Sequence, residues 1–270
     1  MTVPATPDCP IPGNRLPLVV ISHGVGGWFL GHHDIAEALA DAGFVVAAID
    51  HPVDGGRSPD RSHAGELAAW TSRPADISRL IDFMLASWPD RARIDPARIG
   101  SFGFSRGGFT GLVLNGGNPD FQKLLANCPD YPGNRMCTQL RAGEAPPTPF
   151  LHDPRIRAAV LADPVPGPLF LSDGLRGITV PVQLWASENG GDGVLPADIA
   201  AVARTLPALP DRHVVQGAAH FAFLAPCGAA MAEREPEICT DAPGFDRTAF
   251  HAAMDQEVVA FFSTHLRAIP

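Results

Sequence analysis

The chain has 270 residues, of which 46% are hydrophobic and 18% are charged, and its formal net charge is -9 at pH 7. This composition is typical of a globular protein with a large buried core. The negative charge argues against nucleic acid and anionic membrane surfaces as partners, and the sequence holds no apolar run long enough to span a bilayer.

Apolar runs alternate with amphipathic segments along the first half of the chain, after a proline-rich start over residues 1–17. The run Phe44–Ile49 is apolar throughout, as expected of a strand that is covered on both faces. Strands are predicted at 18–22, 44–49 and 98–102, and helices at 33–42, 74–88 and 109–114. Residues 51–73 are predicted to form a polar loop.

The second half starts with an interruption at residues 116–154, which are rich in proline and show little periodicity. A segment this long inside a compact domain is usually functional, so we interpret it as a lid-like insertion. Strands are then predicted at 156–162, 180–186 and 212–216, and helices at 197–206 and 246–267. A second loop, residues 221–245, carries two cysteines.

This alternation predicts a single α/β domain over residues 1–270, with a mostly parallel sheet and helices on both faces. Ligands of such sheets bind beyond the carboxyl ends of the strands. Four polar residues lie just past predicted strand ends and are therefore expected on one rim: Ser105, Asp163, Asp192 and His220.

The segment Gly103-Phe104-Ser105-Arg106-Gly107-Gly108 contains a G-x-S-x-G motif between a predicted strand and a predicted helix. That context is what a nucleophile elbow requires, because the tight turn exposes the serine hydroxyl at the top of the sheet. Ser105 is therefore the candidate nucleophile.

A serine hydroxyl needs a base to accept its proton, and the base needs a third group to orient it. His220 follows the last predicted strand and is the candidate base. Asp192, on a turn after the preceding strand, is the favoured acid, and Asp163 and Glu188 are the alternatives.

The negative oxygen formed during acyl transfer needs two backbone N–H donors. Arg106, the residue after the nucleophile, supplies one, and Val25 in the glycine-rich segment His23–Gly27 supplies the other. His23 is expected to be a buried support for this loop. Three aromatic residues either line the substrate pocket or belong to the core: Trp28, Trp185 and Phe221.

Other chemistries lack their motifs. The sequence has no H-E-x-x-H and no Cys/His cluster with metal-ligand spacing. The glycines at 24–27 are followed by no G-K-[ST] and do not form G-x-G-x-x-G. We therefore expect no metal site and no cofactor.

The five cysteines are either unrelated reduced thiols or two disulfides within loops, Cys128–Cys137 and Cys227–Cys239, with Cys9 left over. The first residues show no signal-peptide pattern. The expected location is thus either the cytoplasm or, if a signal peptide has been trimmed, the periplasm or the exterior.

The chain resembles the α/β-hydrolase superfamily and, more narrowly, the bacterial "predicted dienelactone hydrolase" group, which is related to platelet-activating-factor acetylhydrolases and cutinase-like polyester-degrading enzymes. The resemblance covers residues 17–267 and rests on four segments: Leu18–Gly27, Ile99–Gly108, Gly217–Leu224 and Pro236–Cys239. It implies an α/β-hydrolase fold and a serine esterase that acts on a small-molecule ester.

The sequence departs from these relatives in three respects. True dienelactone hydrolases carry a cysteine nucleophile, where this chain has Ser105. Many relatives have two or three strands before the strand at Ser22, which implies a shorter sheet of about six strands here. Platelet-activating-factor acetylhydrolases place the acid one strand earlier, at the position of Asp163.

Three hypotheses on function follow. The first is a cofactor-independent serine hydrolase of carboxylic esters that works through an acyl-enzyme intermediate. The second is an amidase, lactonase or peptidase with the same triad. The third is a non-catalytic binding protein of the same fold.

Overall fold

The computed structural model describes residues 5–125, 128, 134–146, 148–170 and 173–267. Six parallel strands form one sheet in the order β2-β1-β3-β4-β5-β6. The strands are β1 (Leu16–Ser22), β2 (Val45–Ala48), β3 (Ile94–Phe104), β4 (Ile156–Ala162), β5 (Val182–Ser187) and β6 (Asp211–Val215).

The described α-helices vary from four to 19 residues in length. They are α1 (His33–Asp41), α2 (Leu67–Thr71), α3 (Arg73–Ala86), α4 (Arg106–Leu114), α5 (Gln122–Leu125), α6 (Arg135–Arg141), α7 (Pro196–Thr205), α8 (Ala229–Arg234), α9 (Pro236–Cys239) and α10 (Arg247–His265). Short 3-10 helices lie at Arg91–Arg93, Gly167–Phe170 and His220–Phe223.

The sheet is covered by apolar side chains on both faces because successive residues of a strand point to opposite sides. In β1, Val19 and Ile21 pack into the cluster that includes α1 and α10. Leu18 and Val20 pack into the cluster of α3 on the other face. Helix α4 covers the same face as α3, and its apolar side chains share a core cluster with those of α7.

The strand order reverses between β1 and β3. From β1 the chain first moves outward to β2 and then returns to build β3, β4, β5 and β6 on the other side of β1. Such a reversal opens a crevice at the carboxyl ends of the two central strands. Here Ser22 ends β1 and Phe104 ends β3, so the segments that follow these residues share that crevice.

The predicted sheet of six parallel strands with helices on both faces is confirmed. The predicted loop over 51–73 is wrong in part, because α2 occupies Leu67–Thr71 and buries Leu67 and Trp70. Residues 116–154 include α5 and α6, and α6 buries Met136 and Leu140 in the same core cluster as Trp70. The lid role of that segment stays a prediction, and part of it lies outside the described residues.

Both disulfide pairings are confirmed: Cys128 bonds to Cys137, and Cys227 bonds to Cys239. Cys9 is an exposed free thiol. Among the helices of the described residues, none has the length and hydrophobicity that a bilayer span requires.

Candidate active site

Ser105 lies on a sharp turn between β3 and α4. Its backbone has a φ of 57° and a ψ of -119°, a conformation that non-glycine residues rarely adopt. The turn is held by hydrogen bonds at both ends, since the Ser105 N–H donates to Ala162 O at 2.9 Å and the Phe109 N–H donates to Ser105 O at 3.1 Å. This is the sharp strand–turn–helix geometry that the motif predicts, and the role of Ser105 as nucleophile stays a prediction.

The glycines of the motif are required by close backbone approaches. A Cβ atom on Gly103 would lie 2.2 Å from Gly107 O, and one on Gly107 would lie 1.9 Å from Ser22 O. Both distances are far inside van der Waals contact. The helix that follows Ser105 therefore packs directly on the end of β1, which brings the elbow next to the glycine-rich segment.

His220 faces Ser105 from the turn after β6. Its Nε2 lies 3.0 Å from Ser105 Oγ, and its Nδ1 lies 3.0 Å from Asp163 Oδ2. All three side chains are buried. The ring of Phe104 stacks on the imidazole with centroids 4.6 Å apart, so packing and hydrogen bonds together fix the orientation of His220.

Asp163 is completely buried and accepts hydrogen bonds on both carboxylate oxygens. The Ser187 N–H donates to Oδ1 at 2.9 Å, and the Ser187 hydroxyl donates to Oδ2 at 2.6 Å. Asp163 Oδ2 is also the neighbour of His220 Nδ1. Because a carboxylate oxygen accepts hydrogen bonds, this contact favours the imidazole tautomer in which Nδ1 carries the proton. Nε2 is then free to accept the serine proton.

The expected contact between Asp192 and His220 is corrected by this geometry. Asp192 is exposed on the turn around the Gly191–Val194 bridge, and Asp163 occupies the position beside Nδ1. Asp163 directly follows the last residue of β4, and the backbone N–H and hydroxyl of Ser187 at the end of β5 hold its carboxylate, whereas Asp192 lies five residues beyond Ser187 on an exposed turn. Glu188, the third alternative, is exposed and accepts the Gly217 N–H.

The glycine-rich segment of residues 23–27, called the oxyanion loop below, lies against the elbow. A Cβ atom on Gly24 would lie 3.3 Å from Ser105 Cβ. Within the described residues, neither the Val25 N–H nor the Arg106 N–H has a hydrogen-bond acceptor. These are the two donors that the sequence predicts, and their roles stay a prediction.

The three predicted aromatic contacts have different surroundings. Trp185 follows the core alternative, because its ring is buried, stacks on His213 with centroids 4.1 Å apart and donates its N–H to Gln183. It lies two residues before the end of β5 and so belongs to the core. Trp28 is partly buried in the segment before α1, and the ring of Phe221 adjoins that of His220. Their contact with substrate stays a prediction.

Sequence reasoning missed a buried charged cluster behind the oxyanion loop. Asp54 and Arg73 are both completely buried and form a salt bridge at 2.9 Å. Arg106 binds the other Asp54 oxygen at 2.6 Å, and its guanidinium lies 4.1 Å above the ring of Trp70. Burial alone would raise the pKa of Asp54, but the two guanidiniums hold that pKa below its usual value.

A second hydrogen-bond chain supports the same loop. His51 Nδ1 lies 2.9 Å from Asp76 Oδ2, and His51 Nε2 lies 2.9 Å from Ser22 Oγ. The His51 N–H donates to Nε2 of His23, whose Nδ1 donates to Gly24 O. Burial and the nearby Arg73 lower the pKa of His23 to about 3, so this ring is neutral. The expectation that His23 is a buried support agrees with these contacts.

Comparisons with known proteins agree with this architecture. The model of a family described as "Serine aminopeptidase, S33" matches residues 13–165. A ferulic acid esterase from Streptomyces cinnamoneus has a similar structure, with a TM-score of 0.63 and 22% sequence identity, over 97% of this chain and 70% of that chain. At that identity the likeness shows the fold alone, which is the predicted α/β-hydrolase fold.

Proposed function

The chain belongs to the family described as serine aminopeptidase, S33, and from this membership we propose that it is a serine hydrolase that cleaves carboxylic esters. The observation that carries the proposal is the pair of 3.0 Å contacts that link Ser105 to His220 and His220 to Asp163. The proposed triad is therefore Ser105, His220 and Asp163.

In the first step, Ser105 Oγ attacks the ester carbonyl carbon while His220 Nε2 accepts the hydroxyl proton. The carbonyl π electrons move to the oxygen, which becomes an oxyanion that accepts hydrogen bonds from the N–H groups of Val25 and Arg106. When the intermediate collapses, the bond to the alcohol oxygen breaks, and His220 gives that oxygen its proton. The products are a free alcohol and an acylated Ser105.

In the second step, water attacks the acyl-enzyme carbonyl and gives a proton to His220 Nε2. Collapse of this second intermediate returns the proton to Ser105 Oγ and releases the carboxylic acid. Asp163 stays ionised in both steps, and it stabilises the imidazolium that forms each time. The buried position of this carboxylate and the two donors of Ser187 support that role.

A peptidase with the same triad is the second candidate, and the family description favours it. Ester and amide hydrolysis share the attack on the carbonyl but differ in the leaving group, since an amine must be protonated before it departs. The ferulic acid esterase with the same fold favours an ester. The narrower kinship with the "predicted dienelactone hydrolase" group stays part of this proposal.

The test uses p-nitrophenyl acetate, butyrate and octanoate with the wild type and with Ser105→Ala, together with a fluorophosphonate probe and peptide mapping. We expect the wild type to hydrolyse at least one ester, Ser105→Ala to lose that activity, and the label to lie on Ser105. A label on any other residue would contradict the assignment.

A matched pair of substrates separates the two candidates. Aminoacyl p-nitroanilides and the corresponding p-nitrophenyl esters share an acyl group and differ in the bond that is cleaved. Under the proposal, kcat/KM is higher for the ester by more than the ratio of the uncatalysed rates. A free amino group that raises kcat/KM on the anilides would instead identify an aminopeptidase.

A further inference from the structure

We propose that Arg73 is a positioning residue that, with Asp54, orients the oxyanion loop so that its Val25 N–H faces the reacting carbonyl oxygen. The inference deepens the proposed function and rests on it. It concerns a side chain on α3, remote in sequence from every element of the triad.

The Arg73 guanidinium donates to the backbone of the oxyanion loop and to the Asp54 carboxylate. Nη1 donates to His23 O at 2.6 Å, and Nη2 donates to Gly24 O at 3.2 Å. Nε donates to the Asp54 carboxylate at 3.0 and 3.1 Å. One planar guanidinium thus binds two consecutive carbonyl groups of the oxyanion loop, which an ammonium group cannot reproduce with the same geometry. Gly24 O also accepts from His23 Nδ1 at 2.6 Å and from the Gly27 N–H at 3.2 Å, so Arg73 acts together with these donors.

The second observation concerns the peptide plane between Gly24 and Val25. This bond is trans, so the Val25 N–H points in the direction opposite to Gly24 O. Because Arg73 binds Gly24 O, the Val25 N–H is directed away from Arg73. Gly24 itself lies against Ser105, which places that peptide at the nucleophile.

The third observation is that Asp54 connects the two predicted oxyanion donors. One carboxylate oxygen accepts from Arg106, whose own N–H is the second donor, and the Asp54 carbonyl accepts the Gly26 N–H at 2.9 Å. The carboxylate also keeps Arg73 charged: burial lowers the pKa of Arg73, but only to about 10. A fully buried guanidinium without such a partner would be strongly unfavourable.

Removal of this guanidinium should therefore weaken binding of the transition state more than binding of the substrate. The experiment compares Arg73→Gln and Arg73→Lys with the wild type, measuring kcat and KM on the best p-nitrophenyl ester and the Ki of an alkyl boronic acid. We expect kcat to fall about 100-fold or more, as when an oxyanion donor is lost, with KM changed by less than about threefold. The boronic acid, which forms a tetrahedral adduct with serine, should bind more weakly by a similar factor.

Arg155→Gln is the matched control. Arg155 also binds several groups, including Asp153, Asp82 and Ser78, but it precedes β4 and lies at the opposite end of the strands from Ser105. Its loss should lower the unfolding midpoint and leave kcat of the folded fraction unchanged. Added guanidinium ion should restore part of the activity of Arg73→Ala and none of that of Ser105→Ala.

Wild-type kcat in folded Arg73→Gln or Arg73→Lys would overturn the proposal. So would an Arg155→Gln variant that loses as much kcat and boronic acid affinity as the Arg73 variants do. If neither Arg73 variant folds, the residue acts through stability and the proposal is also wrong. Failure of the proposed function has a different signature, because the wild type would then hydrolyse no ester and Ser105 would not be labelled.

Discussion

At the scale of single residues, two residues of the candidate site have unfavourable backbone conformations. Ser105 has a φ of 57° and Asp163 has a φ of 42°. Non-glycine residues in this region are uncommon, and such conformations persist where the surroundings determine them, as they often do in active sites. Here the turns after β3 and β4 bond to each other, since the Val165 N–H donates to Ser105 O.

The sequence could predict that Ser105 and His220 lie together, because one has a motif and the other a place in the chain order, and the two side chains are 3.0 Å apart. It could not separate Asp163 from Asp192. Both follow a strand, and the difference lies in the hydrogen bonds that Ser187 of the neighbouring strand donates to Asp163, a tertiary contact that no local pattern contains.

The first prediction compares these two carboxylates. Asp163→Asn removes the negative charge beside His220 Nδ1 and allows the wrong tautomer, so we expect kcat to fall by about 10⁴-fold. Asp192→Asn changes an exposed turn residue, so its kcat should stay within about threefold of the wild type. Steady-state kinetics on one p-nitrophenyl ester, with circular dichroism as the folding control, measures both. A crippled Asp192→Asn beside an active Asp163→Asn would reverse the assignment.

At the scale of elements, α4 is placed by glycines rather than by an amphipathic face. Gly107 and Gly108 allow the first turn of α4 to lie against Ser22 and Pro164, at the ends of the two strands that flank β3. The helix is buried along its whole length. Its position, and therefore that of Ser105, follows from backbone contacts that only glycine permits.

The second prediction tests this packing. Gly107→Ala places a methyl group 1.9 Å from Ser22 O, a backbone atom of the central strand that cannot move aside. We expect the free energy of unfolding to fall by more than about 4 kcal/mol, or soluble expression to be lost. Urea unfolding followed by tryptophan fluorescence measures the change. Gly228→Ala is the control, since a Cβ atom there meets no atom within 4 Å, and wild-type stability in Gly107→Ala would contradict the packing argument.

Most elements could be predicted because their apolar pattern is local. Ile156–Ala162 is predicted with the bounds that the structure has, and the helix predicted at 74–88 differs from α3 by one or two residues at each end. The short helix α2 was missed because its five residues are too few to show a period. Trp185 lies inside both the predicted strand and β5, and the sequence left open whether it faces the core or the substrate pocket; its burial places it in the core.

At the scale of the whole molecule, the charged interior behind the site was beyond the reach of sequence reasoning. Asp54 and Arg73 are 19 residues apart and look like ordinary surface residues in the sequence, yet both are completely buried. Buried charges are rare unless they are paired, and the pairing requires both elements to be in place. The same interior contains three histidines with lowered pKa values, which link the stability of the fold to pH.

These histidines define the third prediction. Burial lowers the pKa of His23 and of His32 to about 3 and that of His51 well below its usual value of 6.5. Between about pH 3 and pH 6.5 the unfolded chain therefore binds more protons at His23 and His32 than the folded chain does, and His51 acts in the same direction below pH 6.5. The stability that they contribute is present above about pH 6.5 and is lost as the pH falls.

Asp255 acts in the opposite sense. Burial and the nearby Asp34 raise its pKa to about 7, so between about pH 4 and pH 7 the folded chain holds an extra proton there. Stability from this carboxyl is greatest at low pH and is lost as the pH rises toward 7. Asp255 therefore opposes the three histidines only in part, and these four groups together make the protein less stable in acid.

The measurement is urea unfolding at about pH 5 and about pH 7.5, on the wild type, His32→Leu and His152→Gln. Each titrating group changes the unfolding free energy by about 1.4 kcal/mol per pH unit between its two pKa values. His32 packs between Phe102 and Phe104, so a leucine removes its proton linkage and keeps an apolar contact there. We expect His32→Leu to reduce the loss of stability in acid and the exposed His152→Gln to leave it unchanged. An equal loss of stability in the wild type and in His32→Leu would contradict the prediction that His32 carries this linkage. The remaining buried histidines are His23, which belongs to the oxyanion loop, and His51, whose N–H donates to His23.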